Sequence, residues 1–155
     1  MTLTLAWVGD GAARIEVARV DRDSHGITAT GTQLGAIYEL RYLLRPASLW
    51  LEVVGERSIE LDLDGADFFD VGWSPLFNSL PVIRDALLDP GPPRDYVMRW
   101  VDVPALDVRL SEQRYEPLGN GVVRFSSGSF TADIQFDEAG FVISYPGIGT
   151  RLSGN

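Results

Sequence analysis

A mainly β fold, in which an antiparallel meander wraps around one short helix, is predicted by this sequence of 155 residues. Apolar and polar residues alternate with a period of two through most of the chain, which is typical of strands with one buried and one solvated face. Turn residues separate the alternating segments. Only residues 81–89 show a helical apolar pattern with a start and a stop. Because so short a helix does not persist alone in water, we expect the sheet to cover it.

The predicted strands differ in how strictly they alternate. The clearest is 58–63, where every second residue is apolar. In segment 14–20 the pattern places Ile15 and Val17 on the buried face, and in 106–110 it places Leu110 there. Asn120-Gly121 predicts a tight hairpin turn, because both residue types tolerate positive φ. The predicted strands are 3–7, 14–20, 27–33, 37–44, 48–54, 58–63, 96–103, 106–110, 115–118, 122–126, 130–136 and 141–145.

The predicted helix has defined ends. Pro81 suits a first helical position, where its missing N–H costs nothing. Val82, Ile83, Ala86 and Leu87 then fall on one face of the helix. The proline-rich segment 90–93 stops it.

Composition limits the function. The net charge of −9 disfavours binding to nucleic acid or to an anionic membrane surface. Every basic side chain except His25 is an arginine, which excludes lysine-based covalent catalysis, and no cysteine is present for thiolate chemistry. We predict one domain, 1–155, with no cofactor. No apolar run is long enough to span a membrane and no export signal is visible, so we expect a cytoplasmic protein without stable membrane insertion.

Aromatic side chains with polar edges are the best candidates for a ligand site. Such side chains bind sugar rings and the glycerol region of lipids, and arginine or asparagine supplies directional hydrogen bonds. Ordinary core packing is the competing interpretation for each residue. The predicted ligand-binding residues are Tyr42, Trp50, Trp73, Asn78, Arg99, Trp100, Tyr115 and Tyr145.

Acidic residues suggest two further interpretations. The run Asp62, Asp64, Asp67 and Asp70 has the oxygen chemistry of a calcium site but lacks the EF-hand spacing, so a solvated strand edge and turn is favoured and no metal site is predicted. A hydrolase would need two carboxylates in one cleft, and the candidates are Glu52, Glu60, Asp62 and Asp70. His25, the one histidine, lies in a polar turn and cannot build a multi-histidine metal site. A Ser-His-Asp triad with Ser24, Ser74 or Ser79 is formally possible, but the sequence contains no Gly-x-Ser-x-Gly turn. No catalytic set is predicted.

The segment Asp70-Val-Gly-Trp-Ser-Pro-Leu-Phe-Asn-Ser-Leu-Pro-Val82 resembles a motif of the bacterial family called "putative glycolipid-binding". Phe77 and Ser79 stand where the motif has threonines. The resemblance implies a spiral β-roll, a long and mostly antiparallel sheet curled around one helix, similar to bacterial lipoprotein carriers. Further similar stretches are Trp100–Leu106, Gln113–Tyr115, Phe130–Ala132, Asp137–Phe141 and Tyr145–Gly147.

The leading functional hypothesis is a non-enzymatic protein that binds a glycolipid or another apolar small molecule between sheet and helix. One alternative is a carboxylate-dependent hydrolase acting on a glycan or a lipid ester. The other is a protein-interaction module, including a homodimer formed through an exposed strand edge or apolar patch.

Overall fold

One sheet of thirteen strands runs through the computed structural model, which describes residues 2–152. Met1 and residues 153–155 of the predicted domain lie outside the described residues. The chain order is β1 (Thr2–Gly9), β2 (Ile15–Asp23), β3 (Gly26–Leu34), β4 (Glu39–Leu44), β5 (Ser48–Val53), β6 (Arg57–Asp62), β7 (Phe68–Val71), α1 (Pro75–Arg84), β8 (Arg94–Val101), β9 (Val108–Gly119), β10 (Val122–Ser127), β11 (Phe130–Phe136), β12 (Val142–Tyr145) and β13 (Gly149–Arg151).

The strand order confirms the predicted meander. It is β6-β5-β4-β3-β2-β1-β13-β12-β11-β10-β9-β8-β7, so the first and last strands pair in the middle of the sheet. Every neighbouring pair is antiparallel except β7 and β8, which are parallel and are connected through α1. A parallel connection needs a crossover, and the helix supplies it.

The sheet is curled, so that its two ends meet. Arg99 on β8 donates a hydrogen bond from Nη1 to the backbone oxygen of Asp62 on β6, at 2.8 Å. These strands stand near opposite ends of the strand order. The curl gives strand β7 a buried position: Phe69 and Val71 pack in one apolar cluster with the first half of the sheet, while Asp70 bonds to β9 on the other side.

The single described helix lies inside this curl, as predicted, but its bounds differ from 81–89. It spans Pro75–Arg84, so Pro81 is an interior residue and Pro75 occupies the first turn. All positions from Pro75 to Val82 are buried. A helix buried on every side shows no one-sided apolar stripe, which is why periodicity indicated only its C-terminal part. The dipeptide Ser74-Pro75 marks the observed start of the helix in the sequence, because serine is a favoured N-cap residue and proline is favoured in the first turn.

Two strands have the opposite face inward from the one predicted. In β2, Glu16, Ala18 and Val20 are buried, whereas Ile15 and Val17 are 37% and 40% exposed. In β9, Gln113 and Tyr115 are buried and Leu110 is 65% exposed. Successive side chains of a strand point to opposite faces, so a shift of one residue exchanges the buried and the exposed set. Here polar side chains occupy the inner face because partners from the helix and from other strands form hydrogen bonds with them.

Candidate functional site

A buried carboxylate lies where β2 meets the start of α1. Ser74 donates a hydrogen bond to Oε2 of Glu16 at 2.7 Å, and the Tyr42 hydroxyl donates to the same oxygen at 3.1 Å. Gln33 donates from Nε2 to Oε1 of Glu16 at 3.2 Å and also reaches the Gly72 carbonyl oxygen at 3.1 Å. We call Glu16, Gln33, Tyr38, Tyr42 and Ser74 the Glu16 cluster, because Tyr38 completes it by donating to Gln33.

Two glycines make room for the tyrosines of the Glu16 cluster. A Cβ atom on Gly31 would stand 2.1 Å from Cζ of Tyr42, and one on Gly35 would stand 2.2 Å from Cε1 of Tyr38. Both tyrosine rings therefore pass close to backbone that carries no side chain, and a side chain at either glycine would collide with the ring.

Burial changes the proton affinity of the cluster. It raises the pKa of Glu16 to about 7, because desolvation outweighs the hydrogen bonds from Ser74, Gln33 and Tyr42. Desolvation, together with the neighbouring carboxylate, also raises the pKa of Tyr42, so its hydroxyl stays protonated and donates. The Glu16 cluster therefore joins helix to sheet through one carboxyl group, that of Glu16, whose charge changes near neutral pH.

A second buried carboxylate lies on the opposite side of β7. Gln113 donates from Nε2 to Oδ2 of Asp70 at 2.7 Å, and Asn78 donates to the Tyr115 hydroxyl at 3.1 Å. Tyr115 in turn reaches Oε1 of Gln113 at 3.4 Å. Desolvation raises the pKa of Asp70 to about 6, against the lowering effect of its bond from Gln113. These four residues form the Asp70 cluster.

Both clusters are closed polar networks. Within residues 2–152, every buried side-chain nitrogen or oxygen has a hydrogen-bond partner. Ser79 also accepts a bond from the Val142 N–H, at 3.0 Å. The polar side chains of segment 70–79 thus bond to three different strands, β2, β9 and β12, and hold the helix in place. A ligand would have to displace these bonds, so we assign the clusters to folding rather than to ligand contact.

An open cleft lies at the C-terminal end of the helix. Its volume is about 420 Å³, within the range of small-molecule sites. We call it the helix-end cleft. Its apolar lining comes from the first-half strands, the start of β7 and the helix: Ile27, Leu44, Leu63, Phe68, Phe69, Leu80 and Ile83. Its polar lining includes Arg22, Asp23, His25, Arg45, Asp67 and Arg84.

Two other depressions have different chemistry. One, of about 540 Å³, is lined by Asp67, Asp95 and Glu112 among other polar groups, and its Arg114 is bonded to Asp95 at 2.8 Å. The other, of about 500 Å³, lies on the outer face of β2–β5 beside Trp50. Of these three depressions in residues 2–152, only the helix-end cleft combines contact with the helix and an apolar lining.

The eight predicted site residues do not all meet in one place, although Tyr42 and Trp50 border the same outer depression and Asn78 is bonded to Tyr115. Tyr42 belongs to the Glu16 cluster, and Asn78 and Tyr115 belong to the Asp70 cluster. Tyr145 is buried and packs against Phe125, with ring centroids 6.0 Å apart.

The other four lie away from these clusters. Trp50 faces outward, Arg99 bonds to Asp62, and Trp100 packs against the guanidinium of Arg109 at 4.4 Å. Trp73 is 47% exposed, has a φ of 64°, and packs against Arg14 at 4.9 Å. The residues that line the helix-end cleft include none of the eight.

The hydrolase candidates lie in two places. Glu52, Glu60 and Asp62 are on the outer face of the paired strands β5 and β6, whereas Asp70 is a buried residue of β7. Among residues 2–152, no group of three or more His, Asp or Glu side chains is placed to hold a metal ion. Sequence patterns missed Glu16 because it is one acidic residue in an alternating strand. They also missed the cleft, whose lining comes from segments far apart in the chain.

Comparisons with known proteins agree with this architecture. A family model described as "Putative glycolipid-binding" matches residues 38–151. A solved structure of a DUF1089 family protein from Pseudomonas aeruginosa is similar, with a TM-score of 0.63 and 25% sequence identity over 90% of this chain and 86% of that one. A search of curated proteins gave no match. In the described part of the chain, no helix has the length and apolarity needed to cross a membrane. The family match covers most of the sequence, and the chain therefore belongs to the family described as putative glycolipid-binding.

Proposed function

We propose that this protein is a non-enzymatic binding protein that takes the apolar part of an amphiphile, such as a glycolipid, into the helix-end cleft. The observation that carries this proposal is an open volume of about 420 Å³ between helix and sheet with apolar side chains along it. The description of the family supports the same class of ligand. The closed hydrogen bonding of the two buried carboxylate clusters favours binding over acid–base chemistry there.

Alkyl chain length provides a direct test. Each methylene that enters an apolar site contributes about 0.8 kcal/mol, or up to about fourfold in affinity. Calorimetry with octyl, decyl and dodecyl glucosides below their micelle concentrations should show affinity rising with chain length until the cleft is full. Affinity that does not depend on chain length would refute the proposal.

A substitution that fills the cleft locates the site. Leu63 lines the cleft in the loop after β6, and Leu63→Trp should weaken dodecyl glucoside binding by at least about tenfold. Leu110→Trp is the matched control, because Leu110 is 65% exposed and lies outside the cleft. Equal loss in both variants, or in neither, would show that the alkyl chain binds elsewhere.

An apolar row on the outer face favours a homodimer as a second candidate. Val8, Ile15 and Leu34 are opposite one another on three adjacent strands and are 38%, 37% and 47% exposed. Ile37, in the loop that follows β3, is 86% exposed. Analytical ultracentrifugation at micromolar to millimolar concentration tests this, and Ile15→Glu should dissociate such a dimer. A monomer throughout that range would contradict it.

A further inference from the structure

If the helix-end cleft binds an amphiphile, as the proposed function states, its polar lining decides which head group is bound. Three arginines line it: Arg22, Arg45 and Arg84. Arg84 is already engaged, since it donates two hydrogen bonds of 3.0 Å to Asp85 and lies 4.2 Å from the ring centre of Phe68. The other two arginines have no such partner among residues 2–152.

This freedom distinguishes Arg22 and Arg45 from most arginines of the chain. Arg14 and Arg109 pack on tryptophan rings. Only Arg19, Arg22, Arg45 and Arg57 have neither a carboxylate within 4.0 Å nor an aromatic ring beneath them in the described residues, and two of these four line one cleft. The arginines that form ion pairs are Arg41, Arg84, Arg94, Arg99, Arg114, Arg124 and Arg151.

The sheet brings the two free arginines to the same end. Arg22 is opposite Ile27 across the β2–β3 pair, and Arg45 directly follows β4, the next strand. A Cβ atom on Gly26 would stand 3.4 Å from Pro46, so the two turns are in contact. Both guanidinium-bearing chains therefore start beside the apolar lining of Ile27 and Leu44.

The acidic residues of the cleft have partners of their own. Asp23 accepts a hydrogen bond from the His25 backbone N–H at 2.7 Å. Oδ2 of Asp67 accepts one from the Val97 backbone N–H at 2.8 Å. Asp23 and Asp67 thus each hold one backbone N–H, and the charged donors of the cleft that have no carboxylate or aromatic partner in the described residues are the guanidinium groups of Arg22 and Arg45.

We propose that the helix-end cleft selects an amphiphile whose apolar chain ends in an anionic oxygen group, a phosphate or a carboxylate, held by Arg22 and Arg45. Guanidinium groups match the planar or paired oxygens of such anions through two parallel hydrogen bonds. A neutral sugar head group leaves both charges without a partner. The chain's net charge of −9 repels anions in general, so binding of an anion depends on the local positive charge that these two arginines supply.

Matched amphiphiles test the head-group preference. Calorimetry compares dodecyl phosphate, dodecyl glucoside and inorganic phosphate, all at one pH and below micelle concentrations. We expect dodecyl phosphate to bind about tenfold more tightly than dodecyl glucoside, and inorganic phosphate to bind far more weakly than either. Equal affinity for the two dodecyl compounds would overturn this inference and leave the proposed function intact. Binding of neither would refute the proposed function itself.

Arginine variants assign the preference to the rim. Arg22→Gln and Arg45→Gln should each reduce the advantage of dodecyl phosphate over dodecyl glucoside about threefold or more, with glucoside affinity unchanged. Arg57→Gln is the matched control, since Arg57 is exposed, unpaired in the described residues and outside the cleft. An advantage that survives both rim variants would overturn the inference. Inorganic phosphate that binds as tightly as dodecyl phosphate would also overturn it, because the dodecyl group would then contribute nothing to the affinity.

Discussion

Replacing Glu16 by glutamine should change how stability depends on pH. In the folded protein the pKa of Glu16 is raised from 4.5 to about 7, so the folded state holds the proton more tightly than the unfolded chain does. The stability that this group contributes is complete below pH 4.5 and is lost as the pH rises towards 7. At about 1.4 kcal/mol per pKa unit the loss is about 3 kcal/mol in all, of which about 2.5 kcal/mol falls between pH 5 and 8.

Glutamine cannot ionise, so the variant lacks this loss. Its amide can donate to Ser74 or Tyr42 and accept from Gln33, which keeps the Glu16 cluster hydrogen-bonded. The free energy of unfolding of Glu16→Gln minus that of the wild type should therefore rise by about 2.5 kcal/mol from pH 5 to pH 8. For a chain of this size the same change corresponds to about 5–10 °C in Tm.

Urea unfolding of both proteins at pH 5, 6, 7 and 8 measures this difference in the free energy of unfolding. The other titrating groups are the same in both proteins, so their contributions cancel. Glu60→Gln is the matched control, because Glu60 is exposed on β6, and its difference from wild type should stay within about 0.5 kcal/mol. A flat difference for Glu16→Gln across this range would refute the assignment of a buried, proton-holding carboxylate.

Two substitutions test the packing that supports the clusters. Gly31→Ala should destabilise the protein by about 1–3 kcal/mol, because its Cβ atom would stand 2.1 Å from the Tyr42 ring, whereas Gly91→Ala, with space around it, should have little effect in the same thermal unfolding assay. Ser79→Ala should cost about 1–3 kcal/mol in urea unfolding, because it leaves the buried Val142 N–H without an acceptor, and an effect no larger than that of Ser58→Ala on the exposed strand β6 would contradict that role.

Alternation predicted most strands but could not settle which face of each was buried. Ile59 and Leu61 pack against the core as expected, because no polar residue competes for that face of β6. In β2 the aliphatic Ile15 and Val17 alternate with Glu16, and elementary hydrophobicity favours the aliphatic side. Burial of Glu16 became favourable only because Ser74, Gln33 and Tyr42 meet it from three other elements.

The candidate site residues were likewise predictable only in part. Tyr42, Asn78 and Tyr115 were identified as special by residue type, and each makes a buried hydrogen bond, although with another side chain of the protein. The helix-end cleft draws its lining from β3, β4, the segment after β6, β7 and α1, and no local pattern marks those residues as neighbours.

The sequence by itself determined the class of structure: strands from two-residue alternation, turns from glycine and asparagine, and one helix in the segment between β7 and β8. These are local effects, set by a residue and its near neighbours. Tertiary structure alone decided where the helix begins, which face of β2 and β9 turns inward, and where an open volume remains. Each of these depends on hydrogen bonds and packing between residues distant in the chain, which exist only once the sheet has curled.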